Sequence, residues 1–175
     1  MQKIKPFLRT ETFFECILIA FISAVVYLVF VPRFGYFNDD WYLMYAAGAK
    51  GTSVFWDIFA IDRPLRALVM IPAYTIFGPN PLYYNLSAFL FRLLSGFSFL
   101  WILRMLWPEK KQITLWMSLL FLLYPGFLSQ PNAIDYLCHQ TGLAAGMLSI
   151  GLTILAIQSN SWTRKIWSYG VSILL

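Results

Sequence analysis

Asp39 and Asp40 stand side by side in "YFNDDWYLMYAAG" (36–48), in a chain that has only 8 acidic residues among its 175. A carboxylate beside an entering hydroxyl can take its proton, while a second one orients the nucleophile or holds a cation. "IDRPL" (61–65) supplies Arg63, a residue type whose planar guanidinium grips phosphate through two parallel hydrogen bonds. Asp135 in "NAIDYLCH" is a third acid of interest. Arg92 lies inside an apolar run, where an arginine is costly unless it is paired, reaches the interface or meets an anionic group. His139 and Cys138 are neighbours, but one histidine and one cysteine make a weak ligand set. Cys16 and Cys138 form no CxxC pattern and read as small apolar side chains.

Each of these residues also has a plain structural role. Acids at a helix N-terminus favour the helix dipole by about 0.3–1 kcal/mol. Arg63 can pair with Asp62 or contact lipid headgroups, and Arg92 can snorkel outward past Asn85 and Ser87. The elements that position the residues sharpen the choice. Asn38 is predicted as a helix N-cap with Asp39 and Asp40 in the first turn, the helix running to about Gly48 or Gly51. Consecutive helical residues point about 100° apart, so at most one of the two acids aims directly at a shared substrate. Pro64 is predicted at the first position of a second helix covering 64–78.

The surroundings of these segments are apolar. Hydrophobic residues make up 59% of the chain and charged ones 12%, about half the usual share for a soluble domain, and mean hydropathy is +0.65. Such a chain is expected to be an all-α, polytopic transmembrane helix bundle. No basic cluster is interleaved with polar sequence, so nucleic acid is not an expected partner and the excess of Lys and Arg reports loop orientation instead. Apolar runs at 13–31, 82–106, 113–128 and 141–158 read as spans, with the start of a fifth at 166–175. The first run follows Lys3, Lys5 and Arg9 but has no cleavage site after it, and is expected to be an uncleaved anchor.

Residues 64–78 are apolar but short and contain Pro72. If they lie along the interface, Arg104, Lys110, Lys111, Arg164 and Lys165 join the N-terminal basic residues on the cytoplasmic side; if they cross, those five face outward. The first arrangement is expected. It puts the N-terminus in the cytoplasm and makes 32–80 one outer loop with two juxtamembrane surface helices. The loop 129–140 then lies on the same outer face, so Asp39, Asp40 and Asp135 share one side of a cell membrane.

The order of "DDW", "DRPL" and "FGPNPLYYNLSAFLFRLLSG", followed by an outer segment with a lone Asp, resembles the N-terminal part of the GT-C membrane glycosyltransferases over roughly residues 10–160. That group includes the protein O-mannosyltransferases and the aminoarabinose transferase of lipid A. The resemblance implies transfer of a sugar from a polyprenyl-phosphate donor in the outer leaflet to an acceptor protein or glycan. It implies Asp39 as the catalytic acid, Asp40 as its acidic neighbour, Arg63 as a contact of the donor phosphate, and Asp135 as an acid lining the same cavity, in some relatives near a divalent cation. Arg92 is expected to meet an anionic headgroup entering from the lipid. Members of that group carry many more spans, so the chain is expected to be a fragment, a truncated gene product or one piece of a split protein, without the region that completes the donor cavity and holds the acceptor. A non-enzymatic reading, as a transporter or flippase subunit or an inactive partner, competes with this one. It expects broken helices and polar residues near the midplane, whereas the polar residues here gather toward one face.

Overall fold

A computed structural model of the chain describes residues 10–124 and 132–175. Among the described residues the secondary structure is helical, with no strand, as the all-α expectation requires. The helices are α1 (Thr10–Tyr27), α2 (Asp40–Lys50), α3 (Val54–Phe59), α4 (Arg66–Phe77), α5 (Pro81–Leu106), α6 (Lys111–Leu123), α7 (Ala133–Gln158) and α8 (Trp162–Leu174). Among the described residues, three stretches are long and apolar enough to cross a membrane: Glu11–Arg33, Pro81–Leu106 and Ala133–Gln158.

Several expected boundaries are corrected. The fourth apolar run begins at Ala133, not 141, so Asp135, Cys138 and His139 belong to the first turns of α7 and not to a loop. The apolar pair Ile134 and Leu137, both buried, extends the helical face backward past the polar residues that seemed to end the run. The third run is helical over Lys111–Leu123, and its continuation through 128 falls mostly outside the described residues. The segment 32–80 holds three α-helices where two were expected, α3 being the addition. Asn38 is not the cap of α2. It adopts a positive φ of 54°, a conformation in which asparagine is among the more frequent non-glycine residues, and Asp39 is the N-cap. Pro64 likewise precedes α4, whose N-cap is Leu65.

The chain divides into two compact units. The first contains residues up to Val26, Arg92–Tyr124 and Leu143–Leu175. Its core is Ile19, Leu100, Leu119 and Leu122, with Phe97 and Leu115 packed against it. Close helix approach uses glycine: a Cβ on Gly96 would lie 2.3 Å from Leu122, and one on Gly151 would lie 2.4 Å from the Trp101 ring. Hydroxyl groups join α7 to α8, where Ser149 donates to the Ser172 carbonyl at 2.8 Å and Thr153 meets the Ser172 hydroxyl at 2.7 Å. Arg104 pairs with Glu15 at 2.6 Å. Large apolar side chains of this unit are exposed: Phe13, Phe14 and Phe21 on α1, and Trp162, Trp167, Ile173 and Leu174 on α8.

The second unit contains Tyr27–Phe91 and the described part of Pro125–Gly142. It carries α2, α3, α4 and the N-terminal parts of α5 and α7. Leu43, Met44, Phe55, Met70, Tyr84 and Leu137 are among the buried side chains of its core. Gly51 (φ 81°) and Gly78 (φ 57°) end α2 and α4 in conformations that a Cβ disfavours. Each cap donates its N–H to the carbonyl four residues back, and the chain turns sharply enough to fold α2, α3 and α4 onto one core.

Candidate functional site

The two adjacent acids part company at the start of α2. Asp39, the N-cap, makes no side-chain bond to its own helix. Its exposed side chain lines a cavity of about 200 Å³ in the second unit. Asp40, one residue later, is fully buried and is not among the residues lining that cavity. One of its oxygens, Oδ1, accepts from the Ile134 N–H at 3.3 Å, and Oδ2 accepts from the Phe37 N–H at 3.4 Å. The 100° step between helical neighbours thus separates a cavity-facing acid from an internal one. Burial pushes the Asp40 carboxyl above its ordinary pKa; backbone N–H groups of Phe37, Ile134, Asp135 and Ala133 pull the other way without cancelling that rise.

The cavity is also lined by Tyr42, Asp62, Arg63, Arg66 and Asp135. Asp39 and Tyr42 come from α2, Arg66 from α4 and Asp135 from the first turn of α7, while Asp62 and Arg63 stand in the linker before α4. Arg63 pairs with Asp62 at 3.1 Å, and both side chains are more than half exposed, so the pair adds little to stability and leaves both groups open to a ligand.

Arg66, which the sequence reading passes over in favour of Arg63, is the better-held arginine. Its side chain is 9% exposed, its Nη2 donates to Asp135 Oδ1, and its guanidinium lies 4.8 Å from the centre of the Phe59 ring. Its Nε is buried without a hydrogen-bond partner. The available signal was the spacing "RPLR": a second arginine follows Arg63 across one turn, closed by the Arg66 N–H donating to the Arg63 carbonyl at 2.9 Å. Asp135 carries a second neighbour in His139, whose Nε2 is 3.6 Å from Oδ2 across one turn of α7.

Arg92 is placed elsewhere, in the first unit. It is 1% exposed, its Nε donates to the Leu122 carbonyl at 2.9 Å, and Nη2 also donates to the Tyr124 carbonyl at 3.4 Å. These are carbonyls at the C-terminal end of α6, which lack intrahelical partners, so Arg92 acts there as a cap delivered from α5. That explains how the side chain is tolerated in an apolar helix without snorkelling. Of the residues expected at the site, Asp39, Arg63 and Asp135 therefore line one cavity, and Asp40 and Arg92 are bonded to backbone instead. No three His, Cys, Asp or Glu side chains among the described residues are grouped as metal ligands. Comparison with protein-family models, curated proteins and solved structures finds no match for this chain.

Proposed function

We propose that the chain belongs to the donor-side portion of a membrane glycosyltransferase of the GT-C kind, transferring sugar from a polyprenyl-phosphate to an acceptor hydroxyl on the non-cytoplasmic face. The observation that carries this reading is the convergence of Asp39, Asp62, Arg63, Arg66 and Asp135, from three helices and a linker, on one cavity. Convergent charge at a concave site next to apolar helices is costly unless the groups serve a ligand or one another. Three stretches able to cross a membrane and the outward-facing aromatic side chains of α1 and α8 support a lipid setting. In this reading α2, α3 and α4 lie at the membrane surface.

The chemistry divides among the groups in a simple way. Asp39 accepts the proton of the acceptor hydroxyl as its oxygen bonds to the sugar's anomeric carbon. The bond from that carbon to the phosphate oxygen breaks, and the released phosphate takes the electron pair. Arg63, exposed and free to reorient, and Arg66 behind it stabilise that charge. Asp135 holds Arg66 in place. The test is transfer of labelled sugar from a polyprenyl-phosphate donor, with the full-length protein that contains this portion in lipid nanodiscs. Asp39→Asn keeps the shape and removes the base, so turnover should fall by about 10²-fold or more. Full turnover in Asp39→Asn overturns the assignment.

A further inference from the structure

Asp40 is a buried carboxylate for which the proposed chemistry has no use, and it joins two backbones that are far apart in sequence. Oδ2 takes the Phe37 N–H just before α2, and Oδ1 takes the Ile134 N–H in the first turn of α7. The first N–H groups of a helix have no partners within it, so an acceptor delivered from another element fixes where that helix begins. The residues flanking this bridge face the cavity: Asp39 directly precedes Asp40, and Asp135 directly follows Ile134. One side chain therefore sets two cavity acids against each other, each a single residue from the bridge.

We infer that Asp40 is a positioning residue: by bridging the Phe37 and Ile134 amides it holds the N-termini of α2 and α7 together and so sets the spacing of Asp39 and Asp135 across the cavity. It touches no ligand and acts through those two neighbours. The inference deepens the transfer reading and rests on it for its catalytic consequence, while the bridge itself does not depend on that reading. Asparagine is the informative replacement. It fills the same volume but offers one acceptor oxygen, and its NH2 group turns a donor toward a backbone N–H.

The experiment measures the distance between spin labels at Tyr45→Cys on α2 and His139→Cys on α7, both exposed positions, with Cys16 and Cys138 replaced by serine and the full chain in nanodiscs. The chain with Asp40 should give one narrow distance distribution. Asp40→Asn and Asp40→Ala should broaden it about twofold or more while helical circular dichroism is kept. A distribution that stays narrow in Asp40→Asn overturns the inference, and so does loss of the fold in both variants, which makes Asp40 a stability residue alone. In the transfer assay Asp40→Asn should lower kcat by about ten- to a hundredfold, the scale of a misplaced reacting group, with donor KM within about twofold. The narrow distance with no transfer in the full-length protein that contains this portion refutes the glycosyltransferase reading and not the bridge; a broadened distance with unchanged kcat refutes the positioning role and not the reading.

Discussion

Arg63 and Arg66 sit one turn apart, yet substitution should affect them differently. Arg66 is nearly buried against Phe59 and paired with a partly buried Asp135. Arg66→Ala leaves that carboxylate without its partner, and removing one member of a buried pair costs about 3–5 kcal/mol. Because Asp135 is 23% exposed, the lower end of that range is expected. Arg63→Ala should change stability by less than about 0.5 kcal/mol, as for exposed pairs, but should weaken use of the donor; Arg63→Lys should keep the charge and lose the two-pronged grip. Denaturant unfolding in detergent, run beside the transfer assay, checks both halves. Asp40 adds a pH signature. Its folded pKa lies above the ordinary 3.8, chiefly through burial, so across that window the folded chain keeps a proton that the unfolded chain releases. The contribution of this carboxyl is therefore favourable below the window and is lost as pH rises through it. Asp40→Asn should flatten that part of the stability profile, read as the unfolding midpoint from about pH 4 upward. That Asp39 and Asp40 point apart was legible from helix geometry, but that Asp40 turns inward onto the α7 backbone and away from the shared cavity was not. The partners of Arg66 and Arg92 were not: they sit 69 and at least 30 residues away, and only the folded chain brings them close.

At the scale of elements, α2, α4, α5 and α7 were legible from apolar runs, from helix-start residues and from the glycines that end α2 and α4. Two features were not. The first turns of α7 carry Asp135, His139 and Gln140 among apolar residues, and a count of consecutive apolar positions stops short of them. The six-residue α3 is too short to show a period at all. Small residues at the helix crossings also gave no signal before their neighbours were known. Gly151 is the sharper case, since a Cβ there meets the flat edge of Trp101 and an indole ring has little room to yield. Gly151→Ala should destabilise by about 1–3 kcal/mol through overpacking, whereas Gly142→Ala, with nothing near its Cβ position, should not destabilise. Thermal unfolding of the two variants in the same detergent makes the comparison. If Gly151→Ala is as stable as the parent, the close α5–α7 approach within the first unit is wrong.

At the scale of the molecule, α6 decides which way the later segments cross the bilayer. Three stretches qualify by length and composition, but α6 spans 13 described residues, about 20 Å at 1.5 Å each, against a core of about 30 Å. Its sequence stays apolar through Leu128, which lies outside the described residues, as does Ser129, an otherwise natural labelling position. Charge gives the independent argument. If α1, α5, α6 and α7 all cross from a cytoplasmic N-terminus, Lys110 and Lys111 at the start of α6 and Arg164 and Lys165 in α8 all face the cytoplasm, as the positive-inside rule prefers. If α6 lies flat instead, the order after it inverts, and Arg164 and Lys165 face outward. Single cysteines at Ser53, Glu109 and Asn160, all exposed positions, separate the alternatives in intact cells treated with a membrane-impermeant maleimide, with Cys16 and Cys138 replaced. The four-crossing arrangement predicts labelling at 53 and protection at 109 and 160. Labelling at both 53 and 160 means that α6 does not cross, while labelling at 109 with protection at 53 inverts the whole chain. The inverted outcome puts the Asp39 cavity on the cytoplasmic side, where a donor presented in the outer leaflet does not reach it, and the proposed reaction fails with it.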